Sequence, residues 1–281
     1  MVDSQALEAL GVVSGYGLNV AERAGLEVAM LQVKLAEKLL TLDFWGRIYG
    51  DTADYLVVVA TLEESSKFPS KKFYYTTTLK VEKLSQMPEL TESFRTRAQS
   101  LTQKPFTGEA SMPYDDVAEE DQPEPQVDEN GDPLQPELFR EEHRLAFHVK
   151  QIDVDACVAP RGAYLVDSKG NVVKNKTYDG LTFEAAGFLS SYFHFRPPTS
   201  PHAQQALAKA GVVRPGDFLD PIKDDKPPGC WALQCDASKQ IAFLRSLYYP
   251  GAFFFHKIAT NSFGNVYVGD GLPNDDLQFM L

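Results

Sequence analysis

A histidine and an arginine two positions apart come nearest to the acid–base groups of an enzyme. The stretch "LSSYFHFRPP" places His194 and Arg196 among aromatic side chains. Histidine titrates near neutral pH and can act as a general base, but hydrolysis also needs a nucleophile and a residue that orients the base. No Gly-x-Ser-x-Gly turn supplies that nucleophile. We therefore interpret His194 as a packed or capping residue, and the alternative is a small-molecule-binding or hydrolytic enzyme centred on His194 and Arg196.

Two cysteines resemble half of a zinc site. Cys230 and Cys235 stand five positions apart in "CWALQC", a segment with the composition of a strand. Successive side chains of a strand point to opposite faces, so two thiols five positions apart do not converge on one ion. His256 follows, but no second histidine stands at ligand spacing from it. The sequence therefore predicts free, buried cysteines.

The remaining ligand-binding motifs are incomplete. "VGDG" at 268–271 supplies two glycines of a dinucleotide fingerprint, but Asn274 stands in the place of the third. The run from Asp128 to Asp132 begins like a calcium loop, but a proline and a phenylalanine occupy the positions of its invariant glycine and its bidentate glutamate. We therefore expect no catalytic residue, no cofactor and no bound metal, and we interpret the protein as a non-enzyme.

Composition and charge limit the class of protein further. The 281 residues are 43% hydrophobic, enough for one large domain or two modest ones. A formal net charge of -12 argues against binding to nucleic acid or to an anionic membrane. Three cysteines are too few for a secreted disulfide framework, and the N-terminal residues show no secretory signal. We expect a soluble protein that is synthesised in the cytoplasm and remains in a reducing compartment.

Most of the negative charge lies in one segment. Residues 109–142 contain thirteen of the 39 acidic residues and a single basic one, Arg140, so the rest of the chain is net neutral. With six prolines over 103–142, this segment is predicted to be a disordered loop. It separates an N-terminal portion, 1–102, of helix and strands from a β-rich C-terminal portion, 143–281. The insert either repels or steers a charged surface or is an inert solvated loop.

Hydrophobic periodicity predicts an α+β fold with a long N-terminal helix, mostly antiparallel sheet and short helices in the C-terminal half. The clearest helix is 19–40, in which Asn19 and Glu22 are spaced as a capping box. Runs typical of strands are 54–62, 72–84, 145–152, 163–167, 231–235, 240–247, 253–258 and 264–268. Further helices are predicted for 88–101, opened by Pro88, for 182–193, and for a segment with Ser200 as cap, Pro201 in its first position and Gly211 just past its end.

The N-terminal helix carries apolar residues over most of its circumference. A helix that lies on a single layer needs an apolar stripe little wider than about 100°. We therefore expect this helix to be covered on two sides, either within its own domain or by a partner.

The chain ends on apolar residues. Leu277, Phe279 and Leu281 alternate with Gln278 and Met280, a period of two that predicts a terminal strand docked on a sheet. Aromatic residues are enriched both in cores and at interfaces. The candidate interface residues are Tyr192, Phe193, Phe195, Tyr248, Tyr249, Phe253, Phe254, Phe255, Phe279, Met280 and Leu281.

A series of motifs resembles one known family. In order along the chain these are "LDFWGRIYGDTADY" (42–55), "APRGAY" (159–164), "YDGLTFEAAGFLSSYFHFRPP" (178–198), "GCWALQ" (229–234), "FLRSLYYPGAFFFH" (243–256) and the ending from Phe263 to Leu281. In this order and combination they resemble the radial spoke head protein 9 family of motile cilia and flagella. That family is related to radial spoke head proteins 4 and 6.

The resemblance implies a function without catalysis. The protein would be a building block of the radial spoke head in the axoneme, where it would scaffold head assembly. The head faces the central-pair apparatus, touches it transiently and would relay mechanical signals toward the dynein arms. The implied partners are radial spoke head proteins 4 and 6 and other spoke-head subunits, with two copies of this chain in each head and neither nucleic acid nor membrane.

Overall fold

The computed structural model describes residue 11 and residues 15–39, 41–62, 67–101, 103–114, 138–209 and 218–280. Within this part of the chain the fold is mostly β and is organised around one eight-stranded sheet. The strands of the sheet are β1 (Thr41–Ile48), β2 (Tyr55–Leu62), β3 (Ser70–Thr77), β4 (Ser85–Gln86), β9 (Trp231–Asp236), β10 (Ile241–Ser246), β11 (Ala252–Lys257) and β12 (Phe263–Gly269).

The helices are few and short. They are α1 (Val20–Ala36), α2 (Glu92–Ser100), α3 (Glu141–Ala156), α4 (Phe183–Ala186), α5 (Pro201–Ala208) and α6 (Leu277–Met280), with single 3₁₀ turns at Leu189–Ser191 and Ile222–Asp224. Two small ribbons complete the described fold. They pair β5 (Val158–Pro160) with β8 (Tyr192–His194), and β6 (Tyr164–Val166) with β7 (Val172–Lys174).

The large sheet is made of two antiparallel meanders, one from each end of the chain. Its strand order is β4-β3-β2-β1-β12-β11-β10-β9, and the only parallel pair among these strands is β1 with β12. At this seam Gly46 lies beside Tyr267, and a Cβ on Gly46 would stand 2.2 Å from the Tyr267 carbonyl oxygen. Only glycine allows this approach of the two backbones. The portions predicted on either side of the acidic insert therefore share one sheet.

Helices cover both faces of the sheet. One core contains α1, through Leu26 and Ala29, packed on Phe44, Val58 and Phe255. The opposite core contains α3, packed on residues of β1, β2, β3, β11 and β12. Strand β2 is buried on both sides, which explains its continuous apolar run "YLVVVA".

The α+β prediction with a long N-terminal helix is wrong. Helix α1 begins as predicted, with the Asn19–Glu22 capping box, but it has only 17 residues. The helix ends at Ala36. Lys38 has a positive φ of 54°, a conformation that a right-handed helix does not contain, so the helix does not continue past it. From Thr41 the chain forms β1, a strand that the sequence analysis did not predict. Leu40 lies outside the described residues.

Two predicted strands are helical in the structure. Residues 145–152 belong to α3, where Leu145, Val149 and Ile152 are spaced by four and three and face the core. The terminal residues Leu277–Met280 form the helical turn α6 rather than a strand, and among them only Leu277 is buried. Leu281 lies outside the described residues. At the terminal residues, an alternating pattern over a few positions was mistaken for the period of a strand.

The other predicted helices differ from the structure in their bounds. The predicted helix 182–193 consists of α4, a 3₁₀ turn and strand β8. Helix α2 begins after the cap Thr91 rather than at Pro88. Helix α5 has Ser200 as cap and Pro201 at its first position, as predicted, whereas Gly211 is not among the described residues.

Candidate interaction surfaces

Helix α1 is fixed to the sheet at both of its ends. At its start, the guanidinium of Arg47 in β1 lies 3.4 Å from the Glu22 carboxylate and 2.6 Å from the Asp54 carboxylate. This one side chain therefore joins the helix to β1 and to the residue that precedes β2. Beyond its end, the Tyr74 hydroxyl donates to Glu37 at 2.7 Å. Burial and this hydrogen bond to a carboxylate raise the pKa of Tyr74. These contacts fix which side of the helix faces away from the sheet.

The outward side of α1 carries a continuous apolar stripe. Val28, Leu31 and Leu35 are 55%, 58% and 70% exposed, and Val20 and Ala24 are exposed beside them. At 100° per residue these five side chains fall within an arc of about 80°. We call Val20, Ala24, Val28, Leu31 and Leu35 the α1 stripe. The sheet covers the opposite side of the helix, and within the described residues nothing covers the stripe.

A groove of about 540 Å³ adjoins the N-terminal half of α1. It lies between the helix and the segment 78–83 that connects β3 to β4, and Leu79 in its wall is largely exposed. Gly25 of the helix faces Val81 across the groove at close range. Exposed apolar surface therefore continues from the α1 stripe onto this connection.

The C-terminal turn is a second exposed apolar feature. Leu277 is buried and anchors α6, whereas Phe279 and Met280 are 80% and 71% exposed. The Phe279 amide donates to the Asp276 carbonyl oxygen at 2.9 Å, which closes the turn. Both exposed residues were predicted as interface residues, and that assignment stays a prediction.

The other predicted interface aromatics lie inside the chain. Those that are buried are Tyr192, Phe193, Phe195, Tyr249, Phe253, Phe254 and Phe255, and Tyr248 is half-buried. Phe254 packs edge-on against Tyr192 at 5.6 Å, and Phe253 stacks on Phe243 at the same centroid distance. Their burial places them in cores of the described chain, while Leu281 is outside the described residues.

His194 lies in a hydrogen-bonded cluster with Asp225 and Trp231. Its Nε2 lies 2.8 Å from both carboxylate oxygens of Asp225, and the same carboxylate accepts a hydrogen bond from the Trp231 indole at 2.7 Å. Arg196 pairs with Asp155 at 3.5 Å. Neither His194 nor Arg196 lines the α1 groove or the small cavity beside Trp45. Nothing in this geometry supports the enzyme alternative.

A buried carboxylate that the sequence analysis assigned to the solvated insert organises the centre of the molecule. Glu141, at the start of α3, is fully buried and accepts hydrogen bonds from five groups. The donors are the hydroxyls of Tyr55 at 2.6 Å, Thr107 at 2.7 Å and Tyr114 at 3.0 Å, and the amides of Thr107 at 3.0 Å and Gly108 at 2.9 Å.

Arg144 completes this cluster one turn later. Its guanidinium donates to the Tyr114 hydroxyl at 2.9 Å and stands 4.3 Å from the centre of the Phe106 ring. Burial and the bond to Glu141 raise the pKa of Tyr55, so its hydroxyl stays protonated as a donor. The helical spacing of Glu141, Arg144 and Leu145 was the signal that Glu141 belongs to a helix and not to the insert.

The cluster also closes the base of the insert. The Tyr114 amide donates to the Phe139 carbonyl at 3.0 Å, and the Glu141 amide donates to the Met112 carbonyl at 2.9 Å. The described residues that flank 115–137 therefore meet at one place on the molecule. Residues 115–137, with ten of the acidic residues, lie outside the described part of the chain.

The described residues contain no candidate metal site and no candidate membrane-spanning helix. No group of three His, Cys, Asp or Glu side chains among them is placed to hold a metal ion. Cys157, Cys230 and Cys235 are free, and burial raises the pKa of Cys230 to about 11. No helix in the described ranges is long and apolar enough to cross a membrane.

These features are typical of an assembly subunit, because charged clusters tether elements to one another and apolar side chains are exposed on α1 and on the C-terminal turn, among other places. The family model described as Radial spokehead-like protein matches residues 4–146. The Radial spoke head protein 9 homolog of Homo sapiens is 35% identical and that of Bos taurus 34% identical over 271 residues, covering 95% of both chains in each pair. That of Danio rerio is 34% identical over 276 residues, covering 97% of this chain and 96% of the relative. The chain therefore belongs to the radial spoke head protein 9 family.

Membership confirms the resemblance found in the motifs. It shows that this chain is a structural component of the radial spoke head, which places the chain in the axoneme of cilia and flagella. Nothing in the comparisons supports an enzymatic activity.

Proposed function

We propose that this protein is a non-catalytic scaffold subunit of the radial spoke head, and that it passes mechanical signals from the central pair toward the dynein arms. The observation that carries the proposal is the similarity to radial spoke head protein 9 homologs over 95% of the chain. The charged clusters described above support it, because each one joins separate elements of the fold.

The single sheet suits a subunit under load. Its two meanders are joined by the parallel pairing of β1 with β12, so a force on one end of the sheet is carried to the other through backbone hydrogen bonds. Helices α1 and α3 brace opposite faces of the same sheet. A packed interior of this kind is stiff and transmits displacement rather than absorbing it.

The proposed partners are radial spoke head proteins 4 and 6, with two copies of this chain in each head. Support comes from the family relationship and from exposed apolar side chains, which stable subunit interfaces bury. Phe279 and Met280 are the candidate contacts at the C-terminal turn, because both are exposed beside the buried anchor Leu277.

The test is affinity purification of the tagged chain from salt-extracted axonemes, followed by mass spectrometry. We expect near-stoichiometric radial spoke head proteins 4 and 6. A variant with Phe279→Asp and Met280→Asp should retain less of them, and Val173→Asp, at an exposed position of β7, serves as the matched control. A lone chain, or a set of unrelated soluble proteins, would refute the scaffold function.

The acidic insert is proposed to steer or repel the head at the charged surface of the central pair. Ten acidic and no basic residues over 115–137 create a negative potential that acts over about 8 Å at physiological salt. Replacing these residues by Asn and Gln should alter the beat waveform and the salt dependence of sliding. An unchanged waveform would favour an inert solvated loop.

A further inference from the structure

The α1 stripe has the spacing of a helix-pairing seam. Its members follow one another at intervals of four, four, three and four residues from Val20 to Leu35. Apolar residues at alternating intervals of three and four keep one face of a helix toward a second helix. The buried residues of the same helix, Leu26 and Ala29, lie on the opposite side against the sheet. Helix α1 therefore has two apolar faces, and its second face is shaped to receive another helix.

The charges beside the stripe favour a particular partner. Glu27 and Lys34 lie seven positions apart on the same flank of the stripe, where Glu27 also pairs with Arg23 of its own helix at 3.3 Å. Gln32 lies on the other flank. In a parallel pair of identical helices, opposite flanks face each other, so Glu27 would meet Gln32. In an antiparallel pair, like flanks face each other, and Glu27 meets Lys34 of the second copy at two symmetric places.

The side-chain volumes agree with the antiparallel arrangement. The register that pairs these charges places Ala24 opposite Leu35 of the second copy and Val28 opposite its Leu31. Each layer then combines a smaller with a larger side chain, which fills the space between two helices without overlap. An interface around a twofold axis requires a patch complementary to itself in this way.

We propose that a second copy of this chain docks antiparallel on the α1 stripe, with the twofold axis passing between Val28 and Leu31. A helix of 17 residues is about 25 Å long, so the seam alone is a small interface. Leu79 beside it is exposed and adds apolar area. We therefore expect a dissociation constant on the order of micromolar. The proposal goes beyond the scaffold function and does not depend on it.

The first test is sedimentation velocity of the purified full chain at concentrations from about 1 to 100 μM. We expect a monomer–dimer equilibrium with a dissociation constant on the order of micromolar. Val28→Glu with Leu31→Glu places charges in the seam and should weaken the dimer about a hundredfold. Both positions are exposed, so the monomer should keep its fold, as judged by circular dichroism. Leu138→Glu, at an exposed position away from α1, is the matched control.

A charge exchange tests the orientation. In the antiparallel dimer, position 27 of each copy faces position 34 of the other. Glu27→Lys alone and Lys34→Glu alone each put like charges at both of these contacts, so each should weaken the dimer about tenfold. The double variant restores two opposite-charge pairs only if the helices are antiparallel, so it should recover the original affinity.

Three results would overturn the proposal. The first is a monomer at every concentration, and the second is a dimer that the Val28 and Leu31 changes leave intact. The third is a dimer that appears only after deletion of residues 1–10, which would mean that the chain's own N-terminal residues cover the stripe. Loss of radial spoke head proteins 4 and 6 from the axonemal purification would refute the scaffold function and leave the dimer untouched.

Discussion

Glu141 shows how much a single buried side chain determines in this protein. Its carboxylate accepts hydrogen bonds from Tyr55 of strand β2 and from the segment 104–114, which ends with Tyr114 at the base of the insert. Removing one charged partner from such a cluster leaves the other groups buried and unsatisfied. The stability of the molecule should therefore depend more on this carboxylate than on any exposed ion pair.

Glu141→Gln should lower the free energy of unfolding by about 2–4 kcal/mol. The substitution keeps the shape of the side chain, but it replaces an acceptor oxygen by an NH₂ group that faces donors. Urea unfolding followed by tryptophan fluorescence measures the effect. Glu82→Gln, at an exposed position, should change the stability by less than about 0.5 kcal/mol, and an equal loss in both variants would contradict the role assigned to the cluster.

Two buried histidines make stability depend on pH. Burial and the nearby Arg144 lower the pKa of His148 to about 3, and burial lowers the pKa of His256 to about 4. Below pH 6.5 the unfolded chain binds protons at these positions that the folded chain does not bind. The contribution of the two histidines to the free energy of unfolding should therefore be fully present above pH 6.5. It should be lost as the pH drops toward 4, by about 1.4 kcal/mol per pH unit for each histidine.

The measurement is urea unfolding at several pH values between 7.5 and 5. His256→Gln should remove about half of the pH dependence assigned to the two histidines. His202→Gln, at an exposed position of α5, should leave that slope unchanged. A stability that rises as the pH falls through this window would show that the histidines are protonated in the folded chain.

At the scale of the element, α1 has two apolar faces with different roles. Leu26 is buried against the sheet, whereas Leu31, on the opposite side, is exposed. Sequence periodicity detected the total width of the apolar surface but could not divide it between the chain's own core and a partner. Which apolar residues of α1 are buried depends on which side of the helix faces the sheet, and the contacts of Arg47 and Tyr74 with the helix fix that side.

Leu26→Ala should lower the free energy of unfolding by about 2–4 kcal/mol, because it removes buried side-chain volume from the core. Leu31→Ala should change the stability of the monomer by less than about 0.5 kcal/mol. Urea unfolding at a concentration below the expected dimer dissociation constant compares the two. Similar losses in both variants would mean that the stripe is buried within the single chain.

At the scale of the whole molecule, the seam between β1 and β12 joins the two ends of the chain. The pairs Gly46–Tyr267, Arg47–Val268 and Ile48–Gly269 connect residues more than 200 positions apart. Closing so long a loop costs conformational entropy that the seam and its cores must offset. The molecule should therefore unfold as one cooperative unit as long as the seam is intact.

Gly46→Ala should destabilise the protein by about 3 kcal/mol or more, because its Cβ would meet the Tyr267 carbonyl oxygen at 2.2 Å. We expect unfolding at a lower urea concentration. We also expect that the unfolding transitions followed by tryptophan fluorescence and by circular dichroism no longer coincide. Gly17→Ala is the matched control, since nothing lies within 4 Å of a Cβ there. Coincident and unshifted transitions for Gly46→Ala would show that the seam does not couple the two meanders.

Local patterns were enough to predict several elements. Strands β2 and β9 to β12 lie within or close to the predicted runs, because β-branched and aromatic residues between turn residues favour strands regardless of their neighbours. The start of α1 was predicted for a similar reason, since a capping box is formed by residues three positions apart. The motifs also identified the family, because they are specific in combination and require no contact information.

The tertiary structure alone decided the rest. Burial of Glu141, the parallel pairing of β1 with β12 and the helical turn at Leu277–Met280 all depend on groups that are distant in sequence. A glutamate in an acidic run has the same local pattern whether it is solvated or surrounded by five donors. The sequence by itself determined the family and many of the local elements, whereas long-range contacts decided the single sheet and which apolar side chains remain exposed. Local periodicity records a residue's neighbours along the chain, but burial depends on its neighbours in space.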